Sequence, residues 1–142
     1  MSKPQEIPEY LNGSMNQKVL AHINGTSAHS DISEALLDAI KPLGDVQVFC
    51  PDFDSFKYVC VSTKEIIFGI AIGMRTIVLK LDARMKSRAL TMGQRLYPDC
   101  GDDWVAFDNP TSDGDWPSID YRFWTLKSYV YAREILADKT KK

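Results

Sequence analysis

Hydrophobic residues first recur at a regular spacing between about Asp31 and Lys41, where apolar positions follow the i, i+3, i+4, i+7 pattern of one buried helix face. Glu34 stands three residues after Asp31, as in a capping box, which indicates where this helix begins. Pro42 and Gly44 end it, because proline cannot continue the hydrogen-bond ladder and glycine tolerates a left-handed exit. We therefore predict an amphipathic helix that covers another layer of structure.

The same helical spacing returns twice in the second half of the chain. Asp82 can cap a helix from Ala83 to about Tyr97, which Pro98 stops. Its inner stripe consists of Met85, Ala89, Met92 and Leu96. A last helix is predicted from about Ile119 to Ala137. One of its faces carries Tyr121, Trp124, Ser128, Tyr131, Ala132 and Ile135.

Five short runs rich in β-branched and aromatic residues predict strands. They are Val46–Cys50, Lys57–Ser62, Ile66–Ile72, Thr76–Leu81 and Asp103–Asp108. The first four follow one another too closely for the roughly dozen residues that a parallel crossover needs, so they predict an antiparallel meander. Gly69 inside the third run indicates a close approach of another backbone or ring.

The order of these elements, α-β-β-β-β-α-β-α, predicts an α+β fold with an antiparallel sheet of about five strands and helices packed on it. A length of 142 residues suits one domain. We place that domain at residues 17–138, after a flexible N-terminal tail over 1–16 with few apolar positions and before a frayed end at 139–142. Gln17–Ile23 forms a short element whose type the pattern leaves open.

Composition and charge exclude several classes of protein. The chain has 17 basic and 19 acidic residues and a net charge of -2, whereas proteins that hold duplex nucleic acid by charge alone carry a positive excess. No apolar run approaches the roughly 18 residues of a membrane-spanning helix, and no leader segment is visible. We therefore expect a cytoplasmic protein without membrane contact. Three cysteines without metal-ligand spacing predict free thiols, and no cofactor is predicted.

Three stretches of the chain resemble the TfoX N-terminal/YjbR group of small α+β proteins. The run from Ile66 to Asp82 is similar to that group's central hairpin, which leads into a helix. The next helix closes near Tyr97-Pro98, and the stretch from Trp116 to Leu136 is similar to the group's aromatic loop and C-terminal helix. The acidic loop from Asp99 to Asp115 and the N-terminal tail depart from the pattern. The resemblance implies the fold and an association with DNA-related regulation, and it brings no catalytic residues.

The stretch from residue 75 to residue 95 holds six basic residues and the single acid Asp82. As an alternative function, it predicts a nucleic-acid contact, because guanidinium and ammonium groups donate strong hydrogen bonds to phosphates. The predicted phosphate contacts are Arg75, Lys80, Arg84 and Arg88. The other interpretation is a solvated helix face whose arginines pair with the acidic loop, at about 0–1 kcal/mol for each pair.

Seven aspartates fall between Asp99 and Asp120. They suggest, as a second alternative, a metal-assisted hydrolase, because hard cations bind several carboxylate oxygens. Asp113-Gly114-Asp115 is also typical of a simple turn, and we assign no metal ligand. No catalytic residue is assigned either. Cys100 is expected to be exposed because of its loop position. His22 and His29 lie near the N-terminal end of the chain, and a catalytic Cys–His pair needs both side chains within hydrogen-bond reach.

Aromatic residues crowd the C-terminal third of the chain, and the last helix bears too many rings for one face to bury. Some rings are therefore expected at the surface, where aromatic and arginine side chains anchor protein interfaces. We predict a non-catalytic interaction module that binds another protein or a second copy of itself through the aromatic C-terminal helix and the adjoining loop from Asp108 to Pro117. Its predicted contact residues are Trp116, Tyr121, Trp124, Tyr129, Arg84 and Arg88.

Overall fold

The computed structural model describes residues 13, 16–23, 30–49, 59–73, 76–108 and 120–140. In this part of the chain the helices are α1 (Gln17–Ile23), α2 (Ser30–Ile40), α3 (Ala83–Thr91) and α4 (Tyr121–Thr140). The strands are β1 (Gln47–Phe49), β2 (Val59–Thr63), β3 (Ile66–Ile72), β4 (Thr76–Lys80), β5 (Arg95–Leu96) and β6 (Trp104–Asp108). Every run predicted as a strand overlaps one of these strands, and the short N-terminal element is a helix.

The strands form one antiparallel sheet in the order β1-β2-β3-β4-β6-β5. The first four make the predicted meander. β6 then pairs with β4, from Thr76 opposite Asp108 to Lys80 opposite Trp104, and carries β5 on its outer side. The predicted α+β fold with helices on an antiparallel sheet is confirmed, and the sheet has six strands where the sequence predicts about five.

Both faces of the sheet are covered. α2 and α4 cover one face, through a core cluster that includes Leu36 of α2 and Trp124 of α4. α1 contributes Val19 to the cluster on the opposite face. The strand residues of that second cluster are Phe49, Cys60, Ile67, Ile70, Ile72, Val78, Trp104 and Ala106. Because both sides are covered, β3 is buried at every position, which explains its continuous apolar sequence.

β3 contains a bulge opposite Val61 and Ser62 of β2. Val61 pairs with Gly69 and the next residue, Ser62, pairs with Ile67, so Phe68 is an extra residue in β3. A Cβ placed on Gly69 would lie 3.0 Å from a methyl carbon of Val61. The close approach predicted at Gly69 is therefore made by aliphatic side chains, not by a backbone or a ring.

The helix predicted from Ala83 to Tyr97 is wrong in its second half, because α3 covers only 9 residues. Gly93 has a φ of 97°, a left-handed value that favours glycine, and it turns the chain toward β5. Met92 and Leu96, which the periodicity places inside, are 58% and 49% exposed. The glycine, five residues before Pro98, therefore ends this helix.

The structure describes residues at both predicted ends of the domain. Asn16, the last residue of the predicted tail, is buried. Its side-chain nitrogen donates to the Glu65 carbonyl oxygen at 2.7 Å, and its side-chain oxygen accepts from the Ile67 backbone N–H at 3.2 Å. At the other end, α4 continues to Thr140, past the predicted start of fraying. Positions 1–12, 14 and 15 of the predicted tail lie outside the described residues.

Candidate protein-contact surface

One side of α4 fixes the helix to the sheet. The buried Ser128 hydroxyl lies 2.8 Å from the Phe68 carbonyl oxygen and 2.7 Å from the Lys80 carbonyl oxygen, and it can donate its proton to either. The Trp124 ring packs on the Phe107 ring, with 5.0 Å between the centroids. These contacts set the rotation of α4 about its axis, and that rotation decides which of its side chains face solvent.

Two of the aromatic residues predicted as contact anchors lie inside the domain. Tyr121 and Trp124 are 8% and 3% exposed and belong to the core between α4 and the sheet. Their place at a protein-contact surface is therefore wrong, because a core ring reaches a partner only if the domain opens. Tyr129 is half-buried, and its hydroxyl donates to the Gly44 carbonyl oxygen at 2.7 Å, which fastens the turn after α2. Trp116 lies outside the described residues.

A second apolar stripe follows the solvent side of α4. Phe123, Leu126, Lys127 and Val130 stand at i, i+3, i+4 and i+7, the spacing of one helix face. Leu126 and Val130 are 42% and 41% exposed, and Phe123 is half-buried. We call these four residues the α4 stripe. The sequence analysis looks for aromatic and arginine anchors and so misses Leu126 and Val130. Their spacing of four residues on one helix face is the sequence signal that indicates them.

Cations flank the aromatic end of the α4 stripe. The central guanidinium carbon of Arg88 lies 5.4 Å from the Phe123 ring centroid, and the Lys127 ammonium nitrogen lies 5.5 Å from the same centroid. Arg84 is exposed on the same side of α3, one turn before Arg88. Among the residues that the structure describes, no acidic side chain forms an ion pair with these three cations. We refer to the α4 stripe with Arg84 and Arg88 as the α3–α4 surface.

Lys80, which the nucleic-acid alternative needs at the surface, is buried. Its ammonium nitrogen lies 2.7 Å from Asp103 Oδ2. The Tyr131 hydroxyl donates to the same oxygen at 3.1 Å, and burial together with the Asp103 charge raises the pKa of Tyr131 to about 12. Lys80 is thus paired with Asp103 inside the domain, and its ammonium group does not face a phosphate at the surface. Arg75 lies outside the described residues, so the two predicted phosphate contacts that the structure shows exposed are those on α3.

Carboxylates of the predicted acidic segment serve contacts within the fold. Asp108 accepts from the Arg95 guanidinium at 2.7 and 3.1 Å. Asp120 Oδ1 accepts a backbone N–H from the first turn of α4 at 3.1 Å and so caps that helix. Within the described ranges, no three His, Cys, Asp or Glu side chains gather as a metal site would require. Asp113 and Asp115 lie outside those ranges.

The two thiols that the structure describes are buried. Cys100 lies in the core beside Trp104, so its predicted exposure is wrong. Burial raises the pKa of Cys60 and of Cys100 to about 12, far above the range of a reactive thiolate.

One of the two histidines makes a structural contact. His22 Nε2 lies 2.6 Å from the Tyr97 hydroxyl oxygen, so this contact connects α1 to the segment after β5. His29 lies outside the described residues.

No family model, no curated protein and no solved structure matches this chain. The resemblance to the TfoX N-terminal/YjbR group therefore stays a prediction from the sequence pattern. Within the described part of the chain, no helix combines the length and the apolar character needed to cross a bilayer. The function of the α3–α4 surface has to be argued from its own chemistry.

Proposed function

We propose that this chain is a non-catalytic interaction module that binds another protein chain through the α3–α4 surface. The observation that carries this proposal is the α4 stripe, in which Leu126 and Val130 stay exposed beside a ring that two cations flank. Aromatic and arginine side chains are enriched at the centres of protein interfaces, where the contacts around them exclude water. A helix that packs against a second amphipathic element uses anchors at i, i+3, i+4 and i+7. On α4, Phe123, Leu126 and Val130 supply apolar side chains at three of these positions, and Lys127 occupies the fourth.

The rigid support beneath the α4 stripe favours binding. On its opposite side α4 is held by the buried Ser128 hydroxyl and by the packing of Trp124, and Tyr129 fastens it to the turn after α2. A partner therefore meets a helix face that is already ordered, which lowers the conformational entropy lost on association. Apolar surface removed from water at the contact then contributes roughly 25 cal/mol per Å² before that loss is subtracted.

Removing the apolar members of the α4 stripe is expected to abolish capture of the partner. We suggest Leu126→Gln/Val130→Gln, because glutamine keeps the helix propensity while it removes the apolar contact. The wild type and this variant are immobilised and incubated with lysate from cells that express the chain. Mass spectrometry is expected to identify one or more proteins that the wild type retains and the variant loses.

The matched control for this experiment is Leu90→Gln/Met92→Gln, which changes two exposed apolar residues outside the α4 stripe. The control is expected to retain the same proteins as the wild type. If the stripe variant also captures the wild-type set, the α3–α4 surface is not the contact surface and the proposal fails. Unfolding curves of both variants show that a loss of capture does not come from a loss of the fold.

A further inference from the structure

The charge on the solvent side of α4 changes sign from one end to the other. Arg88 and Lys127 flank Phe123 near the beginning of the helix. Glu134 stands one turn after Val130 on the same face and is exposed. Over the described residues it has no cationic partner. Arg133, the residue before Glu134, is paired with Asp45 at 3.1 Å, and Arg122 is paired with Asp38 at 2.9 Å. Among the described residues, the charges left unpaired along this side of α4 are therefore basic at one end and acidic at the other, with apolar residues between them.

This pattern complements itself when a second copy is laid antiparallel on the first. A two-fold axis through the apolar middle brings Leu126 of one chain to Val130 of the other. The same axis places Glu134 of one chain opposite Arg122 of the other. Arg122 is the residue before Phe123, so Glu134 lies within about 1.5 Å, along the helix axis, of the level of Phe123. The acid of each chain then meets the cations of the other, and the symmetry repeats the contact at both ends.

A parallel arrangement of the two helices lacks this match. It would stack Arg88 and Lys127 on their own copies at one end and Glu134 on its copy at the other. Like charges held together at an interface oppose association. The sequence of charges along α4 therefore selects the antiparallel arrangement.

We propose that the partner of the α3–α4 surface is a second copy of this chain, packed α4 against α4 in an antiparallel dimer. This inference rests on the proposed function, because it takes the same surface and names its occupant. Helices with such apolar anchors pack at a shallow angle of about 20°. At each end of the contact, the Arg88 guanidinium and the Lys127 ammonium donate charge-assisted hydrogen bonds to the Glu134 carboxylate.

Charge-reversal variants and their mixture test this arrangement. Glu134→Arg makes both ends of the stripe basic, and Arg88→Glu/Lys127→Glu makes both ends acidic. In sedimentation velocity, the wild type is expected to dimerise as its concentration rises. Each variant alone is expected to have a dimer dissociation constant at least about tenfold higher than that of the wild type, because like charges then meet at the interface.

An equimolar mixture of the two variants is expected to regain the dimer. The introduced cation of one chain then meets the introduced acids of the other, while the second end keeps its native contact. Glu34→Arg is the matched control, because Glu34 is exposed on α2 and the change in charge is the same. The control is expected to dimerise like the wild type, and Leu126→Gln/Val130→Gln is expected to stay monomeric while it unfolds cooperatively.

Three results would overturn the antiparallel dimer. The first is a wild type that stays monomeric at every concentration. In that case, capture of a different protein through Leu126 and Val130 would still support the proposed function, so the two failures can be told apart. The second is a dimer that survives both charge reversals. The third is a mixture that remains monomeric although each variant is folded.

Discussion

Asn16 and Lys80 show how single buried polar side chains are satisfied in this domain. The amide of Asn16 supplies one donor and one acceptor to the backbone of the β2–β3 hairpin, at Glu65 and Ile67. The ammonium of Lys80 is matched by the Asp103 carboxylate at 2.7 Å. A buried polar group without a partner costs about 1–3 kcal/mol of folding stability. The contacts of Asn16 and Lys80 avoid this cost.

Stability is expected to fall at alkaline pH because buried acids ionise more readily in the unfolded chain. The pKa of Cys60, Cys100, Tyr121 and Tyr131 is about 12 in the fold, against ordinary values of 9.0 for cysteine and 10.0 for tyrosine. Above about pH 9 the unfolded state therefore loses protons that the folded state keeps, and stability declines up to about pH 12. At lower pH these four groups are protonated in both states and add no pH dependence.

Urea unfolding at about pH 8 and about pH 11 measures this effect. The midpoint is expected to be lower at the higher pH. Tyr131→Phe is expected to show a smaller difference between the two midpoints, because it removes a hydroxyl that cannot ionise beside Asp103 without repulsion. If the wild type has the same urea midpoint at both values of pH, burial does not raise the pKa of these cysteines and tyrosines in the folded state.

At the scale of the secondary-structure elements, the sequence predicts the strands better than the end of α3. The predicted strands are visible because they are rich in β-branched and aromatic residues, and β3, which is covered on both faces, is apolar throughout. The end of α3 is missed because Pro98 is a plain stop signal, whereas Gly93 acts through a left-handed φ that the sequence does not show. The two exposed residues of β5 are too few for any periodicity to reveal.

Gly93→Ala is expected to destabilise the domain by about 1–2 kcal/mol, because an L side chain is disfavoured in the left-handed region. Apart from the adjoining residues of the chain, no atom of the described residues lies within 4 Å of the added Cβ, so the cost comes from the backbone and not from a clash. Gly44→Ala is the matched control, because its Cβ also meets open space and its φ is not left-handed. Chemical unfolding compares the two variants, and an equal effect of both would contradict the role assigned to Gly93.

The contact surface is only partly readable from the sequence, because α4 has apolar residues on two sides. The sequence groups Trp124 with Tyr121 and Ser128 on one helix face and predicts Trp124 as a contact anchor, whereas the structure places that face against the sheet and buries the ring. Arg84 and Arg88 were predicted contact residues, and both lie at the surface. Which stripe of α4 faces solvent depends on the rotation that the core contacts set, and spacing alone does not give that rotation.

At the scale of the whole molecule, the exposed large apolar residues that the structure describes fall into two main groups, apart from Val48 on β1. One is the α4 stripe. The other follows α3 and consists of Leu90, Met92 and Leu96. The α4 stripe combines helical spacing with cations that have no acidic partner among the described residues, whereas Arg95, beside the second group, is paired with Asp108. We therefore expect protein contact at the α4 stripe and ordinary solvent-exposed surface at the second group.

Hydroxyl-radical footprinting tests this assignment most directly, because it reports which side chains a partner covers whatever the partner is. The chain is oxidised in dilute solution, then at high concentration and in lysate from cells that express it. We expect oxidation of Phe123 and Leu126 to fall several-fold when the partner is present, while Leu90 and Met92 keep their dilute-solution rates. Unchanged oxidation of Phe123 and Leu126 under all conditions, or protection of Leu90 and Met92 instead, would contradict the account.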